Sequence, residues 1–137
     1  MCENNDCIFI SCDSKWTKIS IDEVRTYNNI DTVNLATLSL PVNSSMHLTS
    51  RILAVREAGP AGVPGETWQY TAITRAKNIG GVITVSPPMI TSFLDTAEPI
   101  VTFTSGAGAV LINLIGAANK TIHWVAKSEM IIVPYTP

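Results

Sequence analysis

The segment of residues 116–129 constrains the fold of this chain more than any other. Its first five residues, 116–120, are small or flexible, as in a tight reversal of the chain. From Thr121 onward, apolar and polar residues alternate with the period of two that a half-buried strand requires. Ile122, Trp124 and Ala126 share one face, and Thr121, His123 and Lys127 share the other. We therefore predict that Trp124 and Ile122 anchor a core, and nothing in the segment indicates catalysis.

Length and composition indicate one globular domain with few charges. The 137 residues fit a single domain, and 46% hydrophobic residues suffice for a sizeable core. Only 15% of residues are charged, whereas about 25% is typical of soluble domains. Partner subunits often cover part of such a surface. A β surface rich in serine and threonine, polar without charge, is the alternative interpretation.

Charge and hydropathy argue against two classes of partner. The formal net charge is −2, and no two basic residues are adjacent, so nucleic-acid binding is not expected. No apolar run reaches the ~18 residues of a membrane span. Residues 1–6 are polar and acidic, unlike a signal peptide, which predicts synthesis in a cytoplasm without secretion by that route.

All three cysteines lie near the N-terminus, at Cys2, Cys7 and Cys12. An odd count without a signal peptide argues against a disulfide framework. Their spacing does not match the paired cysteines of common zinc sites, and no nearby histidine completes a ligand set. Free thiols, one disulfide and an intermolecular bond remain open, and no metal is predicted.

Residues 1–14 are predicted to form an N-terminal arm. Within it, the run from Cys7 to Cys12 places Ile8, Phe9 and Ile10 inside polar surroundings. A short apolar run of this kind can add as a strand to the edge of a sheet, on its own subunit or on a neighbour. We therefore assign Cys7, Ile8, Phe9, Ile10 and Cys12 to a candidate assembly arm.

The remaining chain, residues 15–137, is predicted to be one domain of eight or nine strands. Alternating or β-branched runs are separated by turn signals, and no amphipathic helix is evident. The predicted strands span residues 15–23, 31–40, 46–56, 68–77, 81–86, 99–104, 110–115 and 121–133, with 89–98 irregular or a weak strand and 78–81 a hairpin turn. This pattern favours an all-β fold, an antiparallel β-sandwich of jelly-roll-like type.

Residues that carry chemistry do not cluster in recognisable motifs. His47 and His123 stand alone on predicted strands, and no metal-binding spacing of histidines occurs. No nucleophile motif is present, and the carboxylates are dispersed. We therefore predict no enzymatic activity, no catalytic residue and no cofactor. A small hydrolase is the least favoured class, because it needs two titratable side chains that converge in a cleft.

Two aromatic residues allow a ligand-binding alternative. Trp68 and Tyr70 occupy alternating positions on a predicted strand, where core packing is the ordinary role of such rings. Trp68 also follows a long loop rich in proline and glycine, residues 58–66. Both residues are therefore kept as candidate receptor contacts, with the expectation that a saccharide-stacking role leaves the rings exposed in a groove.

Three segments, in order, resemble a small β-sandwich module of bacteriophage virion proteins. Leu40-Pro41-Val42-Asn43-Ser44, leading into a long strand, resembles the module's opening. Residues 66–77 followed by the turn at 78–81 resemble its central hairpin, and residues 116–129 resemble its terminal strand. The resemblance covers residues 38–133, and residues 1–37 have no counterpart.

The resemblance implies a non-enzymatic structural protein on the surface of a phage virion, made in the bacterial host cytoplasm. It implies self-assembly, expected as a homotrimer, and contact with other capsid or tail proteins. A capsid decoration or head-fibre subunit and a tail-fibre subunit are both compatible with it. The alternative function is a carbohydrate- or receptor-binding module at a tail tip, with a host surface glycan as ligand.

Overall fold

A computed structural model describes residues 16–28 and 31–137, and within these ranges it contains nine strands and no helix. The strands are β1 (Thr17–Tyr27), β2 (Thr32–Ser39), β3 (Ser44–Ala58), β4 (Thr67–Ile79), β5 (Val82–Val85), β6 (Met89–Leu94), β7 (Ile100–Gly106), β8 (Ala109–Ile115) and β9 (Thr121–Pro134). In the described part of the chain, no helix is long and apolar enough to cross a membrane.

The strands form two antiparallel sheets. The larger sheet has six strands. Four follow the order β1-β9-β3-β4, and the outer edge of β4 pairs with the other two, with β6 along its first half and with β5 along its last residues. The smaller sheet has the order β2-β8-β7. Strands from the beginning of the described chain pair with strands from its end, β1 with β9 in the larger sheet and β2 with β8 in the smaller sheet. This connectivity is jelly-roll-like. The predicted antiparallel β-sandwich is confirmed.

Alternation along the strands places the core between the two sheets. On β9, Ile122 and Trp124 are fully buried, and the facing side of the smaller sheet contributes Ile112 and Leu114. Trp124 stacks on the ring of Tyr70, with centroids 6.3 Å apart and ring planes 17° from parallel. The Trp124 indole N–H donates to the hydroxyl of Thr26 at 3.1 Å, so the buried polar edge of the ring is satisfied.

The hairpin predicted at residues 78–81 is tighter than expected. Asn78 and Ile79 belong to β4, and the reversal consists of Gly80 and Gly81, both with positive φ. The side chain of buried Asn78 donates to the Leu40 carbonyl at 2.8 Å and accepts from the Gly81 N–H at 2.9 Å. A residue expected in an exposed turn therefore links the larger sheet to the segment after β2.

Residues 89–98, predicted to be irregular or a weak strand, begin with the regular strand β6. β6 pairs with β4 from Met89, opposite Ile73, to Leu94, opposite Trp68. Its six residues are all exposed, since it lies at the edge of the larger sheet. The predicted N-terminal arm, with Cys7, Ile8, Phe9, Ile10 and Cys12, lies outside the described residues.

Candidate functional site

The candidate receptor contacts Trp68 and Tyr70 lie in the core. They are 0% and 6% exposed, because even-numbered positions of β4 face the smaller sheet. The Trp68 indole N–H donates to both the carbonyl and the hydroxyl oxygen of Thr96 at 3.1 Å, and the Tyr70 hydroxyl donates to the Pro99 carbonyl at 2.8 Å. Both rings are therefore buried, as the ordinary role of core packing predicts, and they support the loop that follows β6. They do not form the exposed groove that a saccharide-stacking role requires.

Burial also changes the acidity of Tyr70. Desolvation of the phenolate raises the pKa of Tyr70 from 10.0 to about 12. The folded state therefore holds this proton more tightly than the unfolded chain does. The contribution of Tyr70 to stability is fully present below pH 10 and is lost as the pH rises through about 12.

We predict that alkaline titration of the folded protein, followed by phenolate absorbance, shows one tyrosine that ionises only near pH 12. Tyr70→Phe removes this late step and weakens the dependence of stability on alkaline pH. The same variant loses one buried hydrogen bond, at a cost of about 1 kcal/mol at neutral pH. A late step that persists in Tyr70→Phe would assign it to another tyrosine.

Charged side chains that the sequence analysis did not single out meet at the end of the sandwich where residues 59–66 lie. The side chains of Lys120 and Glu66 are 6% and 9% exposed, and Lys120 Nζ lies 3.1 Å from Glu66 Oε1. Glu98 approaches the same ammonium to 3.6 Å, and the Trp68 ring centroid lies 5.4 Å from Nζ. The Glu66 Oε1 atom is buried and accepts no aligned hydrogen bond, so the ion pair is its compensation.

The loop of residues 59–66 folds over Lys120 through backbone contacts. The Arg56 guanidinium donates to the carbonyls of Ala61 at 2.8 Å and Gly59 at 2.5 Å, which curls the loop back toward β3. The Ala61 N–H then donates to the Asn119 carbonyl at 3.0 Å. The loop therefore covers Lys120 and holds Glu66 against its ammonium group.

Gly62 is placed where a side chain does not fit. Its φ is +78°, and an added Cβ would lie 2.1 Å from Glu66 Oε1 and 2.8 Å from Lys120 Cε. Gly65, in the same loop, has φ +89° but open space around it. Both glycines therefore have a positive φ, but only at Gly62 would an added side chain clash with the Glu66–Lys120 ion pair.

We predict that Gly62→Ala lowers the free energy of unfolding by about 2–3 kcal/mol, and that Gly65→Ala costs about 1 kcal/mol through its backbone alone. Urea denaturation of both variants measures the difference. Equal losses would mean that residue 62 does not contact the ion pair.

A second group of charges lies on the outer face of the larger sheet. Arg25 donates to Glu57 through Nε at 2.9 Å and Nη2 at 3.3 Å, and His123 lies 3.3 Å from Glu23 and 3.5 Å from Glu57. The guanidinium of Arg25 holds the pKa of Glu57 below its usual value, and the carboxylate raises the pKa of Arg25. These exposed pairs connect β1, β9 and β3. Across residues 16–28 and 31–137, no group of three or more ligating side chains is placed to hold a metal ion.

The outer face of the larger sheet also exposes many large apolar side chains. They are Ile19 and Ile21 on β1, Leu53 on β3, Ile73 on β4, Met89 and Phe93 on β6, and Val125, Ile131 and Val133 on β9. The sequence analysis did not predict this surface. The sequence of β9 could have indicated it, because apolar residues occur on both faces of this strand, for example exposed Ile131 next to buried Ile132.

Two shallow depressions lie on this outer face, each of ≈ 280 Å³. One lies near the end of β9 and is lined by Ser45, Met46, His47, Arg75, Ile131 and Val133. The other lies closer to the start of β4, and its lining includes Arg51, Leu53, Gln69, Thr71, Val125 and Lys127. The first is almost entirely apolar, whereas the second combines an apolar floor with two cationic side chains.

Comparison with known proteins found no matching protein-family model and no matching curated protein. Solved structures with similarity to the chain include three phage tailspikes. The tailspike of Acinetobacter phage vB_ApiP_P1 aligns with a TM-score of 0.48 and 17% identity over 96% of this chain and 24% of that chain. The tailspike of Acinetobacter baumannii phage AM24 gives 0.41 and 11% over 85% and 26%.

The third is tailspike protein gp49 of Acinetobacter baumannii bacteriophage Fri1, described as a capsular polysaccharide depolymerase. It aligns with a TM-score of 0.40 and 10% identity over 85% of this chain and 19% of that chain. The chain therefore spans about a quarter or less of the length of each tailspike.

Proposed function

We propose that the chain is a non-enzymatic structural protein of a phage virion, a small β-sandwich that self-assembles on the particle surface. The resemblance of residues 38–133 to phage virion modules supports this function. So do the charged clusters, in which the carboxylates are engaged in ion pairs, Glu66 and Glu98 with Lys120 and Glu57 with Arg25. Capsid or tail proteins are its proposed partners besides other copies of itself.

The observation that carries this proposal is a set of exposed apolar side chains in two pairs, here called the apolar patch. Ile73 and Met89 are opposite each other on β4 and β6, Ile131 and Val133 lie on β9, and Thr49 and His47 of β3 stand between the pairs. The four apolar side chains are 42–75% exposed and lie on one half of the outer face of the larger sheet. The adjoining depression between β9 and β4 is almost entirely apolar. Monomeric proteins seldom expose a cluster of this kind, so contact with a second copy is its proposed role.

The proposal covers two positions on the particle. A decoration or head-fibre subunit and a tail-fibre subunit would both use the apolar patch for contact between copies, expected as a trimer. The tail-tip alternative would add a receptor site. Since Trp68 and Tyr70 are buried, such a site would have to use other residues.

Introducing a positive charge into the apolar patch tests the proposal. We predict that Ile131→Lys and Met89→Lys shift the protein from trimer to monomer in sedimentation velocity, because a lysine ammonium is costly to bury at an apolar contact. Val63→Lys is the matched control, since the exposure of Val63 lies between those of Ile131 and Met89 but the residue is on the loop over Lys120. A trimer that withstands both patch variants would place the contact elsewhere, and a monomeric parent protein would contradict self-assembly.

A further inference from the structure

The second depression on the outer face has a composition unlike that of the apolar patch. Leu53 and Val125 are paired in register across β3 and β9 and form its floor. Gln69 pairs with Leu53 on the other side, and Phe93 of β6 pairs with Gln69. One row across four strands therefore runs from an aliphatic floor through an amide to an exposed aromatic ring.

The next row across the same strands is cationic and polar. Arg51 pairs with Lys127 on one side and with Thr71 on the other. Arg51 Nη1 lies 3.0 Å and Lys127 Nζ 3.8 Å from Glu129. Arg51 and Lys127 therefore share a single carboxylate. The next carboxylate along the first row is Glu23 of β1, which lies opposite Val125 and 3.3 Å from His123. A guanidinium has five N–H donors, so Arg51 has donors beyond the one used by Glu129.

We infer that this groove, lined by Arg51, Leu53, Gln69, Thr71, Val125 and Lys127 with Phe93 at its rim, binds an acidic saccharide. The C–H face of a sugar ring packs on the aliphatic floor and on Phe93. Gln69 and Thr71 pair with hydroxyl groups, and Arg51 and Lys127 hold a carboxylate, for which a guanidinium offers two parallel hydrogen bonds.

Size and charge favour this ligand over others. A volume of ≈ 280 Å³ lies near the lower end of small-molecule sites, about 300–1,000 Å³, and suits one or two sugar rings. A purely apolar ligand would leave both cations unused, and a nucleic acid would require a longer basic track. The inference does not depend on the proposed self-association, because the groove and the apolar patch have no residue in common, although Ile73 follows Thr71 on the same face of β4.

The test is a titration of the whole protein with trigalacturonic acid, followed by amide chemical shifts in two-dimensional NMR spectra. Saturable shifts confined to the amides of the groove are expected. Maltotriose, a neutral saccharide with the same number of rings, should bind about tenfold more weakly or less, since it lacks the charge-assisted hydrogen bonds.

Arg51→Gln provides the decisive variant, and Arg75→Gln is its control because Arg75 lies on the same face outside the groove. Arg51→Gln should weaken binding of trigalacturonic acid about tenfold, and Arg75→Gln less than about twofold. Equal losses in the two variants, equal binding of maltotriose, or no saturable shift would overturn the inference. So would groove shifts of the same pattern on dilution of the protein alone, since a second copy would then occupy the groove.

Discussion

Replacement of Trp124 by alanine is expected to lower the free energy of unfolding by about 3–5 kcal/mol, the cost of truncating a large ring in a packed core. Trp124 is fully buried, stacks on Tyr70 and donates its indole N–H to Thr26. The variant therefore leaves a cavity near the start of β9 and an unpaired hydroxyl on β1. Equilibrium denaturation in urea measures the loss, at one protein concentration because association would add to apparent stability.

Phe93→Ala is the matched control for the Trp124 variant. Phe93 is also an aromatic residue of the larger sheet, but its ring is exposed on the outer face. Its truncation should change the free energy of unfolding by about 0.5 kcal/mol or less. A loss below about 1 kcal/mol for Trp124→Ala would contradict the packing of β9 against the smaller sheet.

Lys120→Met is expected to be comparably destabilising, by about 3–5 kcal/mol, because it leaves the Glu66 carboxylate buried without its counter-ion. Lys120 and Glu66 are both almost fully covered, and Glu66 Oε1 has no aligned hydrogen bond that could replace the ammonium. Glu98 is largely exposed and can turn to water when the lysine is lost. The same urea denaturation measures the effect.

A double variant separates the ion pair from the packing of the loop. Lys120→Met together with Glu66→Met removes both charges and should recover most of the loss, since buried ion pairs are often replaceable by apolar side chains of similar volume. If the double variant is as unstable as the sum of the single variants, the two charges are not coupled, and the 3.1 Å contact contributes little.

Local pattern was sufficient to predict eight of the nine described strands and the direction of the side chains on β9, but it left β6 undecided. The alternation of Ile122, Trp124 and Ala126 identified the inward face of β9, and all three are buried. The pairing of β1 with β9 could not be read in the same way, since Thr17 and Ile131 are opposite each other but far apart in sequence. Register of this kind depends on packing of the whole sandwich.

The candidate site was harder to predict than the fold. Trp68 follows a loop, which favoured exposure, but the loop after β6 covers its edge through Thr96. Lys120 lies in a turn of small residues, where a lysine is ordinarily solvated, and residues 59–66 fold over it. Both side chains are covered by segments distant in sequence. Alternation along β4 indicated an inward position for Trp68, whereas no local signal marked Lys120 as buried.

The mass of the purified protein in solution, measured by light scattering with and without a reducing agent, tests the central claim most directly. We expect a trimer of the 14.8 kDa chain under both conditions, because the proposed contact is the apolar patch and not a disulfide. An oligomer that dissociates on reduction would mean that disulfides of the N-terminal cysteines, and not the apolar patch, join the subunits. A monomer under both conditions would contradict a self-assembling virion subunit.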